Sequence, residues 1–289
     1  MKKDIKDNTD IISNKFFYDK KIIIPALAVM AVAICGASFM YINKKSNAEA
    51  ETVNIEQALN LNITDDINIE LVYIPSGEFE MGSAEGVGDE DELPVRNVSI
   101  TDGFYMGIYE ITNEQWNAVV GTEPSTYTGE NLPVQNVSYT DSLTFCDKLS
   151  ELTGFDVSLP TEAQWEYACR AGSTTKWFWG DDETDYNLYA NDSASDGPYA
   201  VGGYLPNQFG LYDMYGNVME WCLDYYAAEY DSSDTVDPFN DTESVSRVVR
   251  GGGWGEIPDY SRSAYRNAVG EDSATDGIGF RIVVNTNNN

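Results

Sequence analysis

From residue 69 the chain alternates short apolar runs with turns marked by glycine and proline. "IELVYIP" and "GEFEM" read as short strands joined by a Pro-Ser-Gly turn. In "ITNEQWNAVVG", Thr112 followed three residues later by Gln115 forms a capping-box pattern that starts a helix ending near Gly121. "TDSLTFCDKLSELTG" is a second helix closed by Gly154. "LPTEAQWEYACRAG" is a third, with Thr161 and Gln164 as its box and Gly172 as its stop. Beyond Gly172 the pattern breaks into loops and short strands, "TKWFWG", "GGYLPNQFGLYDMYGNVMEW", "RVVRGGGW" and "IGFRIVV". The predicted class is α+β, an irregular, loop-rich single domain with helices early and a small sheet later.

A different pattern precedes it. Residues 22–42 carry no charge, and at about 1.5 Å rise per residue their helix spans roughly 31 Å, the thickness of a bilayer core. Six lysines precede this run and Lys44 and Lys45 follow it, which keeps the N-terminus cytoplasmic and the rest extracytoplasmic. The expected layout is a cytoplasmic tail (1–21), a transmembrane signal anchor (22–42), a polar stalk (43–66), the domain (67–284) and a tail (285–289), all on the cell membrane. A cleaved signal peptide is the rival, with "AEA" at 48–50 as its small-x-small site.

Charge narrows the chemistry. The 289 residues hold 17 Lys+Arg against 48 Asp+Glu, a formal charge of −31, and no histidine. Setting aside the eight lysines and five acids of the first 50 residues leaves nine basic residues against 43 acidic ones. Such a surface excludes nucleic acid as a partner and favours calcium and other cations. The missing histidine removes Ser-His and Cys-His nucleophile pairs and imidazole metal sites. Cys146, Cys169 and Cys222 are too few and too separated for a disulfide framework, although one pair could form, and each reads as core packing.

On the third helix Glu162, Glu166 and Arg170 fall on one face, which reads as an exposed Glu–Arg pair. Arg247, Arg250, Arg262, Arg266 and Arg281 crowd the last 43 residues in glycine- and aromatic-rich phrases. They read as struts to carboxylates such as Glu110, Glu166 or Glu220. "GGGW" lacks the spacing and lysine of a phosphate cradle. The acidic runs at 88–92 and 181–185 match no EF-hand and read as solvated loops.

"VYIPSGEFEMGS", "YEITNEQW", "LPTEAQWEYACRAG", "NQFGLYDMYGNVMEW" and "RVVRGGGW…RSAYRN…IGFRIV" occur in one order across roughly residues 69–284. Together they resemble the formylglycine-generating enzyme, or sulfatase-modifying factor, family. The resemblance implies that family's variant of the C-type lectin fold. It also implies an oxidase that converts a sulfatase cysteine to formylglycine with copper held by two cysteines. Those thiol positions map to Glu256 and Ser261, a poor pair for soft copper. The iron branch of the family uses histidine, which this chain lacks. The family's structural calcium sites carry over better. One implies backbone oxygens of Tyr215, Gly216 and Val218 with the Glu220 carboxylate; the other maps to Asn191, Asp192 and Asp196.

Without its thiols the C-terminal stretch reads as a recognition surface for an envelope or extracellular protein or a glycan. Its expected contact residues are Trp254, Glu256, Asp259, Tyr260, Ser261, Tyr265, Asn267 and Asp272. Some similar domains are variable proteins of diversity-generating retroelements, whose mutated segment ends near "GFR". That resemblance makes residues 254–277 a candidate diversified segment. An oxidase with relocated chemistry, drawing on Cys146, Cys169 and Cys222, is the enzymatic alternative.

Overall fold

The computed structural model of the protein describes residues 58–191 and 195–286. The expected membrane span at 22–42 lies outside them. Among the described residues no helix is long and apolar enough to cross a membrane.

Strands run through the whole domain rather than gathering late. β1 (Ala58–Asn62) and β2 (Asn68–Ile74) pair antiparallel, with Ala58 opposite Val72. They join β5 (Phe104–Gly107), β11 (Val283–Asn285) and β6 (Val157–Ser158) in a five-stranded sheet ordered β1-β2-β5-β11-β6. A polar stalk was expected over 43–66, yet "ALNLN" within it alternates and supplies the edge strand. At the other end Asn285, expected in the tail, pairs with Phe104. The strands flanking the Pro-Ser-Gly turn part company. β2 stays in the large sheet, while β3 (Gly77–Met81) pairs only with β4 (Arg96–Ile100). A four-stranded sheet, β10-β7-β8-β9, comprises Ile278–Gly279, Met219–Tyr225, Arg247–Arg250 and Asn267–Val269.

The helices start where the caps place them. α1 (Asn113–Val120) has Thr112 and Gln115 bonded reciprocally, and α3 (Glu162–Arg170) has the same box from Thr161 and Gln164. α2 (Tyr139–Thr153) adds a box from Ser138 and Asp141, which the sequence reading had not singled out. α1 and α2 end on Gly121 and Gly154 in the left-handed conformation. For α3 it is Ala171, not Gly172, that takes the left-handed cap. α4 is the single turn Tyr186–Tyr189.

Two apolar clusters fill the interior. One gathers Ile74, Phe104, Trp165, Trp177, Met214 and Val248; the other gathers Leu71, Trp116, Phe145, Trp221, Phe280 and Ile282. The face of α3 expected to be exposed is buried between the sheets. Glu162, Glu166 and Arg170 are 3%, 0% and 5% exposed. Burying these charges is tolerable only because each meets a counter-charge. Glu166 receives Arg170 Nε at 2.8 Å, Arg250 Nη2 at 2.5 Å and the Gly82 amide at 2.9 Å. Glu162 is gripped at both oxygens by Arg266, at 2.6 and 2.9 Å. Arg281 grips both oxygens of Glu220, each at 2.7 Å. Arg262 reaches Glu92 at 2.7 Å, so the acidic run 88–92 is not wholly solvated: Glu92 is fully buried. The strut reading thus holds for Arg250, Arg266 and Arg281, with Glu162 added as an acceptor and Glu110 left out.

Replacing Arg250 by alanine leaves Glu166 with Arg170 as its one cation, leaves Glu166 Oε2 without its guanidinium donor and frees the carbonyls of 263–265. We expect a loss of about 3–5 kcal/mol in urea unfolding. A loss below 1 kcal/mol would mean the pair does not hold the core.

Candidate functional site

The C-terminal stretch leaves β8 at Arg250 and turns at once. Gly251 and Gly252 have φ of +94° and +74°, and a Cβ on Gly252 would lie 2.8 Å from the Tyr260 carbonyl oxygen. The glycines therefore serve a tight reversal under the returning chain. Arg250 secures that chain from below, donating from Nη1 to the Ala264 and Tyr265 carbonyls (2.8 and 2.6 Å) and from Nη2 to Ser263 O at 3.0 Å. Arg262 Nε donates to Asp259 O at 2.9 Å and closes the short 3-10 turn at Pro258–Ser261.

The expected contact residues separate into three groups on this frame. Tyr260 is 44% exposed, and Asp259 and Asp272 are exposed as well; Ile257, outside the expected set, stands beside them at 48%. Trp254, Glu256, Tyr265 and Asn267 are half-buried. Trp254 is tied down, its Nε1 donating to Asp276 O at 3.1 Å and its ring meeting Tyr127 edge-on at 5.5 Å. Glu256 accepts the Gly253 amide at 3.0 Å, and burial raises its pKa. Tyr265 stacks on Tyr260 at 5.2 Å; burial, then the nearby Glu256 charge, pushes its hydroxyl to about 12. Asn267 sits in β9 opposite Val249. Ser261 does not belong to the surface. It is 2% exposed, its hydroxyl 2.6 Å from that of Tyr186, because the 3-10 turn rotates it inward.

A second constellation lies in the interior. Glu110, Asp213 and Glu220 are all buried, and Arg281 is the cation that pairs with Glu220 there. Oε1 of Glu110 is buried without a hydrogen-bond partner among the described residues, while Oε2 accepts from Asn217 at 3.2 Å. Burial, then the charges of Asp213 and Glu220, pushes Glu110 well above the usual carboxylate range. Burial likewise lifts Asp213 to about 6. An orphaned carboxylate oxygen among three acids fits a hard cation held by oxygen ligands. Around the expected ligand set, Glu220 is shared by Arg281 and by Trp165 Nε1 at 2.7 Å, Asp213 Oδ2 accepts the Gly202 amide, and Oε1 of Glu110 is the carboxylate oxygen here without a partner among the described residues. Asn191 lies beside the same turn, its Oδ1 accepting the Asn217 amide at 2.9 Å next to Gly216. Asp196 is exposed, and Asp192 lies outside the described residues.

Residues 62–286 match the model of the Sulfatase-modifying factor enzyme 1-like domain. The chain belongs to the sulfatase-modifying factor family. It is 32% identical to the formylglycine-generating enzyme of Streptomyces coelicolor, across 73% of this chain and 87% of that protein. It is 30% identical to the serine/threonine-protein kinase pkn1 of Chlamydia pneumoniae over 75% of this chain, which spans only 38% of that relative. Among solved structures, PvdO from Pseudomonas aeruginosa superposes with a TM-score of 0.71 at 28% identity, covering 78% of this chain and 98% of PvdO. Treponema denticola variable protein 1 does so with a TM-score of 0.72 at 24% identity over the same shares, a likeness of fold.

The positions that the family resemblance gives to copper thiols hold Glu256 and Ser261, one bonded to the Gly253 amide and the other facing Tyr186. Cys146, Cys169 and Cys222 are free, buried thiols. Burial raises all three, Cys169 to about 12, which favours the neutral thiol at each position. Two buried acids were missed in the sequence. Asp213 stands inside the "LYDMYGN" phrase, and Asp224, lifted to about 7 by burial and then by Glu162, ends an alternating strand.

Asp213 keeps its proton to about pH 6 when folded, against an ordinary 3.8. Between about pH 4 and 6 the folded state therefore binds more protons than the unfolded one, and stability in chelator falls as pH rises. Each such group contributes a slope of at most about 1.4 kcal/mol per pH unit. Asp224 adds to the loss in the same direction. Asp213→Asn should flatten its share of the profile in chemical unfolding at fixed ionic strength; an unchanged slope would show that Asp213 titrates normally.

Proposed function

We propose that this protein is a membrane-anchored, extracytoplasmic member of the sulfatase-modifying factor family that binds rather than catalyses. Its residues 254–277 meet a protein or glycan ligand. The observation that carries this reading is the loop after Arg250. Its backbone is held from beneath by guanidinium groups, its outer side chains are Ile257, Asp259 and Tyr260, and its thiol positions are Glu256 and Ser261. A rigid frame under an aromatic and polar rim lowers the entropy lost on binding. The anchor at 22–42 is part of the proposal and rests on its length, apolarity and lysine brackets.

Calcium is the cation we assign to Glu110 and Asp213, with backbone oxygens of the 215–218 turn completing the set. Its role is structural: it relieves the repulsion among the buried acids, so saturating calcium should remove the Asp213 share of the stability loss that chelator reveals above about pH 4 and leave the share of Asp224.

Copper-loaded full-length protein should yield no formylglycine from a sulfatase-type cysteine peptide by mass spectrometry. Turnover would overturn the non-catalytic reading. Deep sequencing of the gene's 3′ end across a natural host population addresses the diversified form of the proposal. Substitutions concentrated in codons 255–277, with 250–252 and 279–281 constant, are the expected pattern for a diversified receptor; a uniform stretch rejects that form and leaves one fixed ligand.

A further inference from the structure

The two acidic runs left unassigned in the sequence flank the same groove. One run, 88–92, is fastened by Arg262 to Glu92 and by Arg266 Nη1 to the Asp91 carbonyl at 2.7 Å. The other begins at Asp181, whose Oδ1 accepts the Lys176 amide at 2.8 Å. Between them lies a cavity of about 650 Å³, walled on one side by the loop 82–95 and on the other by residues 174–176 and Asp181.

Its wall is apolar and open. Val87 is 55% exposed, Val95 is 38% exposed, and Leu93 and Pro94 lie between them in the chain. These two exposed valines give one side of the groove an aliphatic surface. Its rim is anionic. Glu80 and Glu85 are exposed carboxylates, and Asp181 is a third. The lining cations do not offset them. Arg170 is committed to Glu166, Lys176 to Asp259 and Arg262 to Glu92 and Asp89. Across residues 58–286, seven of the nine cations are held in such ion pairs. The groove therefore offers aliphatic contact and uncompensated negative charge together.

We propose that this groove docks an extended basic segment of a partner protein, its lysine or arginine side chains meeting Glu80, Glu85 and Asp181 and an aliphatic side chain covering Val87 and Val95. The size fits a short peptide, and carboxylates around an apolar wall select a cationic one through both contact and steering. Arg262 and Ala264 of the 254–277 stretch line one side of this groove, but the acids and valines assigned to the peptide, Glu80, Glu85, Asp181, Val87 and Val95, all lie outside that stretch, so the proposal stands whether or not residues 254–277 bind a ligand.

The probe is a fluorescein-labelled peptide of alternating lysine and leucine, titrated against the full chain by anisotropy at several salt concentrations. We expect saturable binding that weakens with salt. Glu80→Lys combined with Glu85→Lys should weaken it at least tenfold, and Val87→Ser severalfold. Asp241→Lys combined with Glu243→Lys changes net charge equally outside the groove and should leave binding intact. All four acidic positions are exposed, so neither pair removes a core contact. Equal losses from both charge-reversed pairs would mean attraction by net charge alone and would overturn the proposal. So would indifference to Val87→Ser with full displacement by spermine, which would mark a site for small polycations. Absence of binding would overturn it as well.

Discussion

Everything in this domain leans on two carboxylates one turn apart on a short buried helix. Glu162 and Glu166 are carried into the interior by α3, and between them they hold Arg170, Arg250 and Arg266 as well as the Gly82 amide. Little regular structure connects the segments that meet there: the end of β3, the exit of β8 and the loop before β9. A purely apolar core would let such segments slide, because dispersion contacts are individually weak and non-directional. Forked guanidinium groups fix distance and angle together. The energetic gain of a buried pair over a packed apolar replacement is small, so the benefit is in geometric definition.

Local grammar was readable and long-range partnership was not. The boxes at Thr112 and Thr161 and the stops at Gly121 and Gly154 depend on residues within a few positions of one another, and these helices begin and end there. The face of α3 was misread because a charged i, i+4, i+8 row looks solvent-facing until its partners are known, and Arg250 lies 84 residues from Glu166. Glu92 was hidden for the same reason, inside an acidic run and 170 residues from Arg262. The edge strand at 58–62 was hidden by its polar alternate positions, which an edge strand with a solvated face permits.

In the candidate site, residue types were legible and orientations were not. Tyr260 and Ser261 are adjacent, yet one faces water and the other is sealed against Tyr186, a difference set by one step of a 3-10 turn. The acid-bearing phrase around Glu220 was recognisable, but its pairing was not, since Arg281 reaches Glu220 from the last sheet strand's approach and leaves Glu110 without a cation of its own. A count of arginines and acids cannot say which acid remains without a partner.

The five arginines at 247–281 stand in the last 43 residues, while the acids that four of them meet lie at 92, 162, 166 and 220. A ribosome delivers those acids first. Until the final stretch emerges, Glu92, Glu162 and Glu220 lack the guanidinium groups that pair with them and Glu166 has Arg170 alone, so the earlier part of the domain cannot close fully around them. Closure of the domain is thus tied to synthesis through Arg281, and the segment 247–281 sets when the buried acids can be drawn inward.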